Sequence, residues 1–269
     1  MLNILKMLPS PGTIKQVTFP ASRMLPVWVY QPTTEKKKHQ AIVAIHGISR
    51  NSLQQLEAYK ALAEKHGLWL FAPEFSKENF PSYQLLAKNS SSPRADLALN
   101  NIITTFRSIK GLAELKVHLC GYSGGAQFVH RYAYLHPYNL ASLTLLSAGW
   151  YTFPDLYKSY PQGLRNWPSW MNRPRLQHFL QIPMLVMVGK QDIKRDKSLR
   201  QSELLDQYQG IHRLERANTW SKAIHDTMKH SPSSSTINIV HLDNQSHDFQ
   251  KNITETDMLS EISHFWLTN

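Results

Sequence analysis

The feature that most constrains this chain is the alternation of short, unbroken apolar runs with longer stretches whose apolar residues recur at helical spacing. Residues 41–45 (AIVAI) have no polar face, which suits a strand covered on both sides. Residues 68–72 (LWLFA), 115–120, 143–146, 184–188 and 237–241 read as further strands. Between them, residues 52–66 set Leu56, Tyr59, Leu62 and Ala63 along one helical face and stop at Gly67. Residues 94–109 do the same with Leu97, Leu99, Ile102, Ile103 and Phe106; residues 124–135 form another helix and 254–266 a closing one. Residues 27–30 read as an early antiparallel strand, ended by Pro32. This rhythm predicts an α/β fold, a mostly parallel sheet with helices on both faces.

Two stretches depart from it. Residues 150–180 concentrate Trp150, Tyr151, Phe153, Tyr157, Tyr160, Trp167, Trp170 and Phe179 among prolines, and read as a cap or lid segment between two strands. Their rings would either line an acyl or aryl pocket or form the apolar underside of the cap. Residues 197–230 are long and helical. Neither stretch looks like a separate unit, so residues 1–269 are expected to be one domain, long enough to bury a core without disulfides or metals. The single cysteine, Cys120, cannot form an internal disulfide and reads as a small core residue.

Composition narrows the partners. The net charge is +11, but apart from Lys36, Lys37 and Lys38 and a thin scatter over 190–197 the charges are spread. No RNA-binding aromatic motif, zinc-finger spacing or basic zipper accompanies them, so the excess reads as a basic solvated surface and no nucleic-acid partner is expected. The apolar opening (Leu2, Ile4, Leu5, Met7, Leu8) is interrupted by Asn3 and Lys6 and broken by Pro9 and Pro11, unlike a secretory signal. No run approaches the ~20 apolar residues of a membrane span. The expectation is a cytoplasmic protein without stable membrane insertion. No Cys/His or acidic cluster has metal-ligand spacing and no glycine-rich phosphate loop occurs, so neither metal nor cofactor is expected.

The chemistry centres on Gly121-Tyr122-Ser123-Gly124-Gly125, which follows a predicted strand and opens a predicted helix. Alone, Gly-x-Ser-x-Gly is often an ordinary tight turn. Between strand and helix it suits a serine on a strained turn, with glycines either side to make room. A serine hydroxyl needs a base. Of thirteen histidines, His247 occupies a loop after the last strand from which it can reach back over the sheet edge; His241 is the weaker alternative. An acid must orient that imidazole. Asp192 stands just beyond the 184–188 strand, at the sheet edge where ligands bind in such folds, with Asp196 as runner-up. The oxyanion would take the Gly124 amide and, from the His46-Gly47-Ile48 loop, the Ile48 amide, with Gly47 permitting the turn. The bland reading of that loop is a glycine turn between strand and helix. Arg50 beside it reads as a surface charge.

The His46-Gly47 loop, the elbow at Gly121, Ser123 and Gly125, then Asp192 and His247 come in an order and spacing that resembles the α/β-hydrolase superfamily over roughly residues 25–265. The wording at 123–129 and 147–151 is similar to a bacterial group of esterase-like hydrolases, and loosely to polyhydroxyalkanoate depolymerase-like esterases. The resemblance implies an eight-stranded α/β-hydrolase fold and hydrolysis of a small-molecule ester or amide. The reading is therefore a serine hydrolase that cleaves a carboxylic ester through an acyl-enzyme. An amidase or peptidase of the same fold, and a non-catalytic binding protein, are the alternatives.

Overall fold

A computed structural model describes residues 7–19, 25–37 and 39–268. The apolar opening over 1–6 and Lys38 of the lysine run lie outside them. Eight strands form one sheet: β1 (Ile14–Thr18), β2 (Pro26–Tyr30), β3 (Gln40–Ile45), β4 (Trp69–Pro73), β5 (Lys116–Tyr122), β6 (Leu140–Leu146), β7 (Met184–Gly189) and β8 (Ile237–Leu242). Their spatial order is β1-β2-β4-β3-β5-β6-β7-β8. β2 runs antiparallel to both β1 and β4, and every later pairing is parallel. The sheet is mostly parallel and eight-stranded, as the sequence leads one to expect. β1 escapes the apolar pattern because IKQVT is an edge strand with one fully buried residue.

The continuous apolar runs are explained by two cores, one on each face. In β3, Ala41, Val43 and Ile45 enter one core while Ile42 and Ala44 enter the other. In β7, Met184, Val186 and Val188 face the first, Leu185 and Met187 the second. Such a strand can have no polar side. The first core is closed by α2 (Ala95–Lys110), α3 (Gly124–Leu135) and α6 (Arg213–Lys229); the second by α1 (Ser52–His66) and α8 (Met258–Thr268). Cys120 is fully buried in the second core, and burial pushes its thiol up to about 12.

Some bounds differ from the sequence reading. The closing helix starts at Met258 rather than near residue 254, and a further short helix, α7 (Phe249–Thr254), precedes it where the sequence reads as loop. The 197–230 stretch is α5 (Glu203–Gln209) followed by α6, divided at Gly210, whose φ of +115° suits glycine. Residues 150–180 are irregular apart from α4 (Leu176–Phe179) and lie along the flank of α3 and α6. Tyr151 stacks on Trp220 and Phe179 on Tyr134, so several of their rings serve the first core. Among the described residues no helix is long and apolar enough to cross a membrane.

The end of β7 is fastened to the loop after β8. Lys190 N–H donates to the Leu242 carbonyl at 2.9 Å and Gln191 N–H to the Gln245 carbonyl at 2.8 Å. Gly189 permits this approach, since a Cβ there would stand 2.1 Å from the Gln245 oxygen. Gly189→Ala should therefore lower stability by at least ~2 kcal/mol through overpacking against backbone. Gly111→Ala, where φ is +65° and the surrounding space is open, should cost only the ~1 kcal/mol of the left-handed conformation. Urea denaturation of the two variants would compare them.

Candidate active site

Ser123 stands where β5 ends and α3 begins, at φ 54° and ψ −112°. A non-glycine residue rarely adopts this conformation, which costs on the order of 1–3 kcal/mol and must be imposed by its surroundings. Ser123 N–H donates to the Leu146 carbonyl at 2.8 Å, tying the turn to β6. The flanking glycines let α3 start tight against the sheet: a Cβ on Gly125 would stand 2.2 Å from the Ile45 oxygen, and one on Gly121 2.5 Å from Gly125 backbone. The serine is thus pushed outward at the carboxyl edge of the sheet.

The three residues selected from the sequence meet there. His247 Nε2 lies 3.0 Å from Ser123 Oγ, and His247 Nδ1 lies 2.9 Å from Asp192 Oδ2. With Nδ1–H donating to the carboxylate, Nε2 is left to accept from the serine hydroxyl. Asp192 is 1% exposed, so its charge acts with little solvent screening. Tyr122 stacks on the His247 ring with centroids 5.0 Å apart and is itself backed by Phe249, which fixes the plane of the imidazole. Burial, reinforced by the charge of Asp192, holds the Tyr122 phenol well above its ordinary range, so it stays neutral. The other candidates have other partners. Asp196 accepts from Ser198, Asp243 pairs with Lys190, Asp248 caps α7 and His241 bonds to Asn218.

The second wall is the His46-Gly47-Ile48 loop. A Cβ on Gly124 would lie 3.3 Å from the Ile48 nitrogen and 2.8 Å from its Cγ2, so glycine is needed for the two segments to approach. Among the described residues neither the Ile48 nor the Gly124 N–H has a backbone acceptor outside its own helix. Gly47 faces Tyr122 and Ser123, with a Cβ there 3.3 Å from the Tyr122 ring. The loop is braced from behind. Buried His46 accepts from Phe75 N–H at 3.0 Å through Nε2 and, through Nδ1, donates to the Gly47 carbonyl at 2.8 Å. Tyr83 donates to the His46 carbonyl at 2.8 Å. Arg50, read from the sequence as a surface charge, instead donates to the Phe75, Phe80 and Pro81 carbonyls and lies over the Tyr83 ring.

Sequence reasoning missed Arg213. It is 1% exposed in the first turn of α6, with Nη1 3.3 Å from Asp192 Oδ1 and Nη2 2.6 Å from Ser198 Oγ. Its signal was available: Arg213 and Arg216 share the buried stripe of α6 with Ala217, Trp220 and Ile224, and a cation on such a stripe implies a buried partner. Among the described residues no group of three or more His, Cys, Asp or Glu side chains could hold a metal ion.

No family model matches the chain, and no curated protein matches it. Solved structures do. A poly(3-hydroxybutyrate) depolymerase from Bordetella parapertussis is similar with TM-score 0.78 and 24% identity, over 96% of this chain and 91% of that one. A poly(aspartic acid) hydrolase from Sphingomonas is similar with TM-score 0.77 and 22% identity, over 92% of this chain and 97% of that one. An S-formylglutathione hydrolase from Agrobacterium tumefaciens is similar at TM-score 0.59 and 12% identity, over 94% of each chain. At these identities the likeness speaks to fold. The chain has the α/β-hydrolase fold.

Two outcomes follow from the geometry. Arg213→Met leaves Asp192 buried without its cation and should cost on the order of 3 kcal/mol, part of which Asp192→Asn in the same chain should restore; a double-mutant cycle in urea measures both. Burial pushes His46 down to about 4 and His118 down to about 3. The unfolded chain takes up these protons near the ordinary histidine value of ~6.5. Both groups therefore contribute fully above about 6.5, and their contribution falls with the pH until each folded value is passed, by about 3 kcal/mol for His46 and about 5 kcal/mol for His118. Urea midpoints should drop between pH 7 and 4, and His118→Gln should drop less.

Proposed function

We propose that the protein is a serine hydrolase that cleaves carboxylic esters through an acyl-enzyme. The observation that carries this reading is the unbroken relay from Ser123 Oγ to His247 to Asp192, with hydrogen bonds of 3.0 and 2.9 Å, next to the close approach of Gly124 and Ile48. In this mechanism His247 takes the hydroxyl proton as Ser123 Oγ bonds to the substrate carbonyl carbon. Negative charge gathers on the carbonyl oxygen, which accepts from the Ile48 and Gly124 N–H groups. Asp192 stabilises the imidazolium. When the tetrahedral species collapses, the bond to the alkoxide breaks and His247 protonates the leaving oxygen. Water, deprotonated by His247, then attacks the acyl carbon, and Ser123 Oγ leaves with the proton returned.

Ester is preferred over amide because an alkoxide is the better leaving group, and structural relatives named as a depolymerase of poly(3-hydroxybutyrate), a thermostable esterase and an arylesterase support it. Amide cleavage is the second reading, supported by the relative named as a poly(aspartic acid) hydrolase. A purely binding role has no use for a strained serine aligned with a base and a buried acid.

Ser123→Ala should reduce turnover of short p-nitrophenyl esters by at least ~10³-fold with an unchanged melting temperature. A fluorophosphonate probe should label the parent protein and not the variant. Undiminished turnover in the variant would sink the assignment, and failure of the parent to label would favour a binding role.

A further inference from the structure

On α3, Ser123, Gln127 and Arg131 follow one another at intervals of four, so they line one side of the helix as it leaves the nucleophile turn. Arg131 is fully buried and reaches back along the helix. Its Nη1 donates to the Gln127 and Gln84 carbonyls at 3.0 and 2.8 Å, its Nε donates to Thr152 Oγ1, and its Nη2 has no partner. These acceptors are all neutral, so among the described residues no carboxylate offsets the charge. The guanidinium also lies 4.4 Å from the centroid of Trp150, and a second cation, exposed Arg200, lies 5.1 Å from the same ring. Arg200 likewise has no ion-pair partner among the described residues. Arg131 has its pKa drawn down to about 10, by burial first and by the Arg200 charge among the rest, so it remains a cation at neutral pH.

Two guanidiniums sharing one indole, with no acid between them, repel each other and create a local positive potential on the flank of the helix that leads away from Ser123. The place connects to the nucleophile turn through a chain of neighbouring residues. The Gln127 side chain would lie 3.0 Å from a Cβ on Gly149, and Tyr83, next to Gln84, would touch a Cβ on Gly124. Gly149 and Arg200 are bound together, since Arg216 Nη1 donates to both carbonyls at 2.7 and 2.9 Å. Gln127 lies about 6 Å and Arg131 about 12 Å along the helix axis from Ser123, with the Arg131 guanidinium drawn back to the Gln127 carbonyl. Arg216 itself is neutralised by Asp206.

We propose that Arg200, held over Trp150 with Arg131 behind it, receives a carboxylate of the substrate, so that the ester cleaved at Ser123 is an anionic one with its acid a few bonds from the scissile carbonyl. The proposal rests on the hydrolase reading and adds the substrate class to it. Arg200 makes the ion pair; Arg131 and Trp150 hold it in place and deepen the potential. The net charge of +11 favours the encounter with such substrates.

The test compares neutral p-nitrophenyl butyrate with the mono-p-nitrophenyl esters of dicarboxylic acids from succinate to suberate. For at least one spacer length the parent should show kcat/KM about tenfold above the neutral ester, with the gain in KM and its loss in 0.5 M salt. Arg200→Ala should erase that preference and leave the neutral ester within twofold, and Arg200→Lys should retain part of it. Because Arg200 is exposed, the variant keeps its fold, which an unchanged melting temperature checks. Equal or poorer use of every anionic ester by the parent, or an intact preference in Arg200→Ala, overturns the anionic-substrate proposal while the hydrolase reading stands. Loss of both esters together with absence of Ser123 labelling overturns both.

Discussion

The start of α3 can lie against the end of β3 only because Gly125 carries no side chain. A methyl group there would meet the Ile45 and His46 carbonyls at 2.2 and 2.6 Å. From that contact the rest of the site is arranged. The helix begins so close to the sheet that the chain between them must turn within one residue, and Ser123 takes the strained conformation that results. The same closeness brings Gly124 against Ile48 in the loop after β3. Strain at one residue and the approach of two loops thus have a single steric origin.

The other half of the site has a different logic. Asp192 and His247 come from loops after β7 and β8, neighbouring parallel strands whose ends are joined by backbone hydrogen bonds from residues 190 and 191. The acid and the base are therefore fixed to each other before they are fixed to the serine. Arg213 completes this unit from α6 by taking the Asp192 oxygen that His247 does not use. A buried carboxylate with two cationic or donor partners keeps its orientation in a way that a solvated one would not.

How much of this could be read from the sequence depended on the kind of interaction. Strands buried on both faces leave continuous apolar runs, so β3 to β7 were legible, whereas β1 and the break between α7 and α8 depend on edge pairing and local packing that leave little trace. Ser123 was legible because its strain demands glycines at fixed offsets. Asp192 and His247 were legible from their position after strands, and the structure brings them to the serine. Arg213 lies far from Asp192 in sequence, and pairing through space has no spacing rule; only its place on an apolar stripe hinted at it. Arg50 was misread because a charge in a loop looks solvated until the carbonyls it holds are known. The paired guanidiniums at Trp150 come from three separate segments, and no local pattern joins them.

The place of β7 and β8 at the far edge of the sheet also bears on when the site can be completed. β3, β5 and β6, with the turn at Ser123, lie wholly within the first 146 residues, while the imidazole that would activate the serine follows β8, at the far edge of the sheet. During synthesis the elbow can form while its base is still inside the ribosome. The nascent protein would therefore stay chemically silent until the last strand docks.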